Sequence, residues 1–205
     1  MISHFFFKIK TYLNYRSRAL NEHGLHSPFL FDFYNEVIVA KKEFYFFKQF
    51  RILLSEYPMF ISEVDALFLY RWVAFYKPHS VFVAPLNFPV SLALAIPSYQ
   101  KRLSVSSLGC FSDRELSIFE DVGVSLREDP RADLIYLEEI DSFSKDLIVN
   151  YKCIIIKKPH QNELKDLIWK QLSSLKEVSI SIDLFQFGIL LVDKKISKQH
   201  FIVKM

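Results

Sequence analysis

At 205 residues, 51% of them hydrophobic, the chain is long enough to bury a substantial core, and a formal net charge of +3 is too mild to announce nucleic acid. The lysine pairs at 41–42, 157–158 and 194–195 are scattered and form no basic stripe, and no stretch approaches the roughly 18 apolar residues of a membrane span. The start, MISHFFFKIKTYLNYRSRAL, has neither a long apolar run nor a small-residue cleavage site, so it is not expected to be a secretory signal.

The first 77 residues are predicted to be helical. Ser27 followed by Pro28 is an N-cap with proline at the first helical position, and the helix runs through PFLFDFYNEVIVA. A second run, EFYFFKQFRILLSEY, spaces Phe46, Phe50, Leu53 and Tyr57 helically, and Pro58 ends it. Ser62 then caps a helix whose expected apolar face is Val64, Leu67, Phe68, Trp72 and Phe75, with Pro78 as its stop.

From Ser80 the texture changes to β-rich runs alternating with helices. The order is strand SVFVA, helix FPVSLALAI, strand LSVSSL, helix DRELSIFEDV, and strands VSLRE and DLIYLEE. A helix near 142–149, strand CIIIKK and helix NELKDLIWKQLSSL follow. Ser112 and Glu115 have capping-box spacing, and Leu164, Leu167, Ile168, Leu172 and Leu175 are the expected buried stripe of the last helix. Continuous apolar strands suit a parallel sheet covered on both faces. VSISIDLFQFGILLVD is two strands joined by a link too short for a parallel crossover, so it must be an antiparallel hairpin, and HFIVKM adds a further strand. The expected organisation is a helical extension over 1–78 packed on an α/β domain over 79–205, one compact unit.

This order resembles that of class I S-adenosylmethionine-dependent methyltransferases, a Rossmann-like doubly wound sheet closed by a C-terminal antiparallel hairpin. NEHGLHSPFLFDFYNEVI (21–38) and VSISIDLFQFGILLVDKKISKQHFIVKM (178–205) are similar to the two ends of a bacterial methyltransferase-like family. Its members begin a helix with N-E-H-G-x-H-S-P-F and finish with an I-D-L-F-x-x-G hairpin and a Q-H-F strand. YRWVAFYKP before the first strand also fits. The resemblance covers nearly the whole chain, in motif at the ends and in pattern in the middle.

It implies cofactor residues that are absent here. The family's first strand ends in an acid and a glycine-rich turn, whose glycines let backbone N–H groups approach the ligand. The matching stretch, VFVAPLNFPVS, has an apolar residue near Val83 or Ala84 in the acid's place and no glycine. Pro85 and Pro89 each remove an N–H, and Phe88 adds bulk. At the second strand Gly109 and Cys110 match, but Leu108 stands where a carboxylate would hold the ribose. At the fourth, Glu138 keeps an acid and Glu139 replaces a small residue; at the fifth, Lys157 and Lys158 replace a pair of acids and only His160 remains in phase. Two ammonium groups cannot hold a hard cation. A DFGAGS-type segment of the family has no counterpart between Arg51 and Asp65.

Other constellations are weaker. Glu22, His23 and His26 have donor types that suit zinc but no further ligand at matching spacing. His26, Ser27 and Asp32 form no relay on a helix. Glu138, Glu139 and Asp141 are a loop that could supply acid and base, and Lys157, Lys158 and His160 an anion site at the sheet's carboxyl edge. Cys110 and Cys153 lack a C-x-x-C partner, as buried thiols in a reducing compartment do. The 21 phenylalanines reflect either biased composition or exposed aromatic binding surface.

The expectation is therefore a degenerate methyltransferase-like protein with no catalytic, cofactor-binding or metal residue assigned. It binds no cofactor, lies in the cytoplasm and acts through a protein partner. The alternatives are an active methyltransferase using S-adenosylmethionine in an atypical pocket, and an RNA-binding remnant. Of the aromatic residues Phe29, Phe31, Phe33 and Tyr34, at least one is expected to be exposed, because successive helical residues turn about 100° apart.

Overall fold

The computed structural model describes residues 2–21, 27–40, 44, 46–57, 61–106, 111–129, 131–140 and 150–205, with backbone only for 2–4. The predicted helix at 142–149 lies outside these residues, as do Cys110, Leu108 and Pro58. The chain divides into two compact units, His26–Asp133 and Met1–Leu25 with Leu134–Met205.

In the first unit, α2 (Pro28–Phe33) runs into a single π-helical turn, Tyr34–Ile38. Ser27 occupies the N-cap with extended backbone, but its hydroxyl caps nothing; Pro28 in the first turn and the Phe31 N–H to Ser27 carbonyl bond start the helix instead. α3 (Phe47–Glu56) and α4 (Glu63–Tyr76) follow, and Ser62 Oγ accepts from Asp65 N at 3.1 Å. α4 ends at Lys77, which adopts the left-handed conformation (φ 55) just before Pro78. Three parallel strands, in the order β3-β2-β1, complete this unit: β1 (Ser80–Ala84), β2 (Arg102–Val105) and β3 (Ser125–Glu128). Between them lie α5 (Phe88–Ala95) and α6 (Asp113–Asp121), the latter opened by the expected Ser112–Glu115 capping box.

Its helices bury more than one stripe. α4 hides Leu67, Phe68 and Trp72 as expected, and also Ala66, Leu69, Tyr70 and Val73, while the expected face residue Val64 is exposed. On α3 Phe50 is buried as expected, but Phe47 and Leu54 complete the buried set while Phe46, Leu53 and Tyr57 are only half-buried, Phe47 packing edge-on against Tyr70 at 5.0 Å. Phe33 is fully buried against Trp72, Phe29 lies on Phe75, Tyr34 is half-buried and Phe31 is 49% exposed, so at least one of the four aromatics is exposed as expected.

The second unit opens with α1 (Ile2–Arg18). Its strands β4 (Leu134–Leu137), β5 (Cys153–Lys157), β6 (Ile180–Asp183), β7 (Phe187–Leu191) and β8 (Gln199–Ile202) have the order β4-β5-β7-β6-β8. β7 runs antiparallel to both neighbours and the other pairings are parallel, so the hairpin and the final strand form as the sequence predicts. The carboxyl ends of β4, β5, β6 and β8 therefore share one edge. Cys153 is fully buried.

α7 (Glu163–Ser174) carries the largest departure from pattern. Leu164 and Leu167, expected in the core, are exposed, and the buried face is Lys165, Asp166, Trp169 and Leu172. Trp169 seats over Gly188 of β7 so closely that a Cβ there would lie 2.5 Å from its ring. Ring and glycine fix which face of α7 turns inward, overriding the leucine spacing.

Candidate functional site

The loop after β1 is where the methyltransferase resemblance puts the cofactor. Here it is built to pack. Asn87 caps α5, its side-chain oxygen accepting from Val90 N at 3.2 Å, so that N–H is already engaged. Pro85 and Pro89 have none to offer. The cap orients Phe88 inward, where only 6% of it stays exposed. Its ring meets Phe119 edge-on at 5.2 Å, Phe111 at 6.5 Å and Tyr57 at 5.2 Å, and Phe111 meets Phe119 at 5.0 Å. Edge-to-face packing of this kind adds to area burial. Among the described residues, a cavity lined by Tyr57, Leu86, Asn87, Phe88, Pro89, Phe111 and Glu115 measures about 170 Å³. Small-molecule and cofactor pockets usually hold about 300–1,000 Å³. Phe88 lines this volume, whereas Pro85 does not; Leu108, Gly109 and Cys110 lie outside the described residues.

The carboxyl edge of β4, β5 and β6 holds charge instead. Lys157, at the end of β5, is buried and donates to Glu138 at 2.5 Å, while Tyr136 OH donates to the other oxygen of that carboxylate at 2.7 Å. Lys165 pairs with Glu139 and with Gln161. Glu138 and Lys157, which the sequence left in separate acid–base and anion candidates, thus neutralise one another across strands, whereas Glu139 pairs with a lysine of α7. Lys158 stays exposed. Asp141, Glu22, His23 and His26 lie outside the described residues, and Asp32 is exposed. Among the described residues no group of three or more His, Cys, Asp or Glu side chains has a metal-holding arrangement.

His160 is the centre of a second network that sequence reading missed. Its Nδ1 lies 2.6 Å from Asp166 Oδ1 and its Nε2 2.8 Å from Asp183 Oδ2. Carboxylates only accept, so both ring nitrogens donate and the ring is an imidazolium. Burial by itself pushes this group's pKa down; the hydrogen bonds and charges of Asp183 and then Asp166 outweigh that and hold it above its ordinary value. Lys170 takes the second oxygen of Asp166 at 2.5 Å, and Phe185 N the second oxygen of Asp183 at 2.9 Å. Two cations thus face two anions with every carboxylate oxygen engaged.

The I-D-L-F-x-x-G motif now has a physical content. Asp183 closes the turn and anchors His160. Phe185 is held left-handed (φ 63) and stacks on the His160 ring at 5.4 Å, and Gly188 admits Trp169. Tyr15 of α1 donates to the Val203 carbonyl at 2.5 Å; burial, with Asp183 nearby, pushes its pKa up to about 12 despite a backbone hydrogen bond from Met205. His200, hydrogen-bonded to Ser181 at 2.7 Å, is pushed below its ordinary pKa by burial and then by Arg18 and Lys198, against the pull of Asp183. A groove of about 560 Å³ lies beside this network, lined by residues such as Lys10, Arg18, Trp169, Lys170 and Ile202. The signal in the sequence was the retained hairpin motif, but nothing local linked Asp183 to His160 or Asp166.

The strand order, the hairpin and the alternating helices define the α/β fold of class I S-adenosylmethionine-dependent methyltransferases. Three solved structures share it. A methyltransferase from Geobacter sulfurreducens superposes with a TM-score of 0.51 at 14% identity, over 75% of this chain and 91% of that one. An O-methyltransferase structure from Klebsiella pneumoniae gives 0.51 at 10%, over 77% and 94%. The O-methyltransferase TomG from Streptomyces achromogenes, bound to S-adenosylmethionine, gives 0.50 at 11%, over 78% and 95%. At these identities the likeness is one of fold. No protein-family model and no curated protein matches the sequence.

Proposed function

We propose that this is a methyltransferase-fold protein that has lost S-adenosylmethionine binding and methyl transfer and works in the cytoplasm by binding a protein partner. The observation that carries the reading is the burial of Phe88 among Phe111, Phe119 and Tyr57 at the carboxyl end of β1. An aromatic cluster stabilises the fold there, and the cavity beside it among the described residues is smaller than a usual cofactor pocket. The second support is the Glu138–Lys157 pair, which uses up the acid at β4 and puts a cation at β5. Among the described residues that edge has no free carboxylate pair to polarise a substrate hydroxyl through a hard cation. For the partner, the support is Phe31, half exposed on a segment that keeps the family's pattern while the cofactor loop does not. Aromatic side chains of this kind anchor interfaces.

Thermal unfolding tests the cofactor half. A ligand at a hundredfold excess over its Kd stabilises by about 2.7 kcal/mol, roughly 5–10 °C for a chain of this size. No shift is expected with S-adenosylmethionine at millimolar concentration; a rise of several degrees overturns the reading. Affinity purification with Phe31→Ala tests the partner half: loss of a specific partner from a still-folded variant is expected, and an unchanged partner set removes Phe31 from the interface.

A further inference from the structure

The outward face of α1 is apolar and basic, and its larger apolar side chains stay exposed among the described residues. The helix is held through its other side, where Tyr15 is buried and bonded to Val203, and the chain just beyond it pairs Leu20 with Val203. Outward, Phe5, Phe6 and Leu13 are 63%, 64% and 60% exposed and Ile9 is also exposed, while Tyr12, at the edge of this face, is exposed on one side and packs its ring on Phe185 at 5.0 Å. At 100° per residue these five fall within an arc of roughly 120°. Exposed apolar side chains scattered singly are ordinary; five on one arc of one helix are a patch.

Charge decides what fits the patch. Across Ile2–Arg18 the helix carries Lys8, Lys10, Arg16 and Arg18 and not one Asp or Glu. Lys8 and Lys10 flank the arc on opposite sides, and Arg16 closes its end, folded back over the Tyr12 ring at 5.9 Å. A second copy of the same face would bring three cations, Lys8, Lys10 and Arg16, against three. An anionic bilayer supplies what the face lacks, a thick apolar layer under a sheet of negative headgroups. Long lysine side chains reach that sheet while their stems lie along the apolar surface.

We propose that α1 is an interfacial anchor that lies flat on an anionic lipid surface, with Phe5, Phe6, Ile9 and Leu13 below the headgroups and Lys8 and Lys10 among them. No helix of the described residues is long and apolar enough to cross a membrane, so the contact is peripheral. This inference is independent of whether the cofactor loop works.

Co-sedimentation of the full chain with vesicles tests it. Wild type is expected to pellet with phosphatidylcholine–phosphatidylglycerol vesicles, far less with phosphatidylcholine alone, and to be released as salt rises. Lys8→Gln with Lys10→Gln should weaken binding roughly thirtyfold, at about 1 kcal/mol per charge. Leu13→Glu should abolish it while circular dichroism stays unchanged, because the residue is exposed. Equal binding to neutral vesicles, or none to anionic ones, overturns the proposal. So does a dimer in analytical ultracentrifugation that Leu13→Glu dissolves when no vesicle binding was present, since a second copy would then be the occupant.

Discussion

His160 donates to Asp183 across 2.8 Å, joining the loop after β5 to the last residue of β6 inside the second unit. The opposite nitrogen holds Asp166 on α7, so one imidazolium fixes three segments. Removing it strands one oxygen of each of two buried carboxylates, leaving only Lys170 on Asp166 and the Phe185 N–H on Asp183. His160→Leu should cost about 3–5 kcal/mol in urea denaturation, the range for breaking a buried ion pair from one side.

The same ring sets a pH dependence. Its folded pKa is raised above its unfolded value, so folding favours the protonated form. That contribution is complete below about pH 6.5, the unfolded value, and fades as pH climbs through the folded pKa. The stability gap between wild type and His160→Leu should therefore narrow on going from mildly acidic to alkaline buffer. His200, whose pKa is lowered, acts in the opposite direction and is common to both proteins, so the difference isolates His160. A gap that widens with alkali would show that the ring is neutral in the native state.

Glu138 and Lys157 should behave as a coupled pair. Glu138→Gln leaves a buried ammonium without its counterion and should cost about 2 kcal/mol, trimmed from the buried-pair range because Glu138 is partly exposed. Adding Lys157→Met removes the stranded charge and should restore much of that loss. A double-mutant cycle reads the coupling directly, and strict additivity would mean that the two charges do not interact.

Gly188→Ala should destabilise the second unit by about 1–3 kcal/mol, the usual cost of overpacking, since its methyl meets Trp169 within 3 Å. Reducing the tryptophan as well, in Gly188→Ala with Trp169→Phe, should recover part of the cost of the alanine. Guanidinium midpoints of the three variants decide the matter.

Opening the aromatic cluster should not create a cofactor site. Phe88→Ala is expected to lose about 3 kcal/mol of stability or more from the cavity it leaves. It should gain no S-adenosylmethionine binding, because Pro85 and Pro89 still supply no N–H and Asn87 still occupies that of Val90. Dye-monitored unfolding with and without cofactor measures both effects together.

Much of the fold was legible because its signals are local. Apolar runs such as SVFVA and CIIIKK, the Ser112–Glu115 box and the short link before Gly188 each act within a few residues, and the elements form where they place them. Stripe assignments failed where a distant partner overrode the period. Val64 is exposed because α4 turns its other faces inward, and Leu164 and Leu167 are exposed because Trp169 and Asp166 are drawn to Gly188 and His160. The charged networks were illegible for the same reason. Asp183 and His160 are 23 residues apart and meet only because β7 lies between β5 and β6, which brings the ends of those two strands to one edge.

Isothermal titration of the purified chain with S-adenosylmethionine tests the central claim most directly. Closure of the β1 loop by Phe88, with no glycine turn to offer backbone donors, predicts no saturable heat at physiological cofactor concentration. A saturable isotherm with a micromolar Kd would contradict it and return the protein to the working methyltransferases.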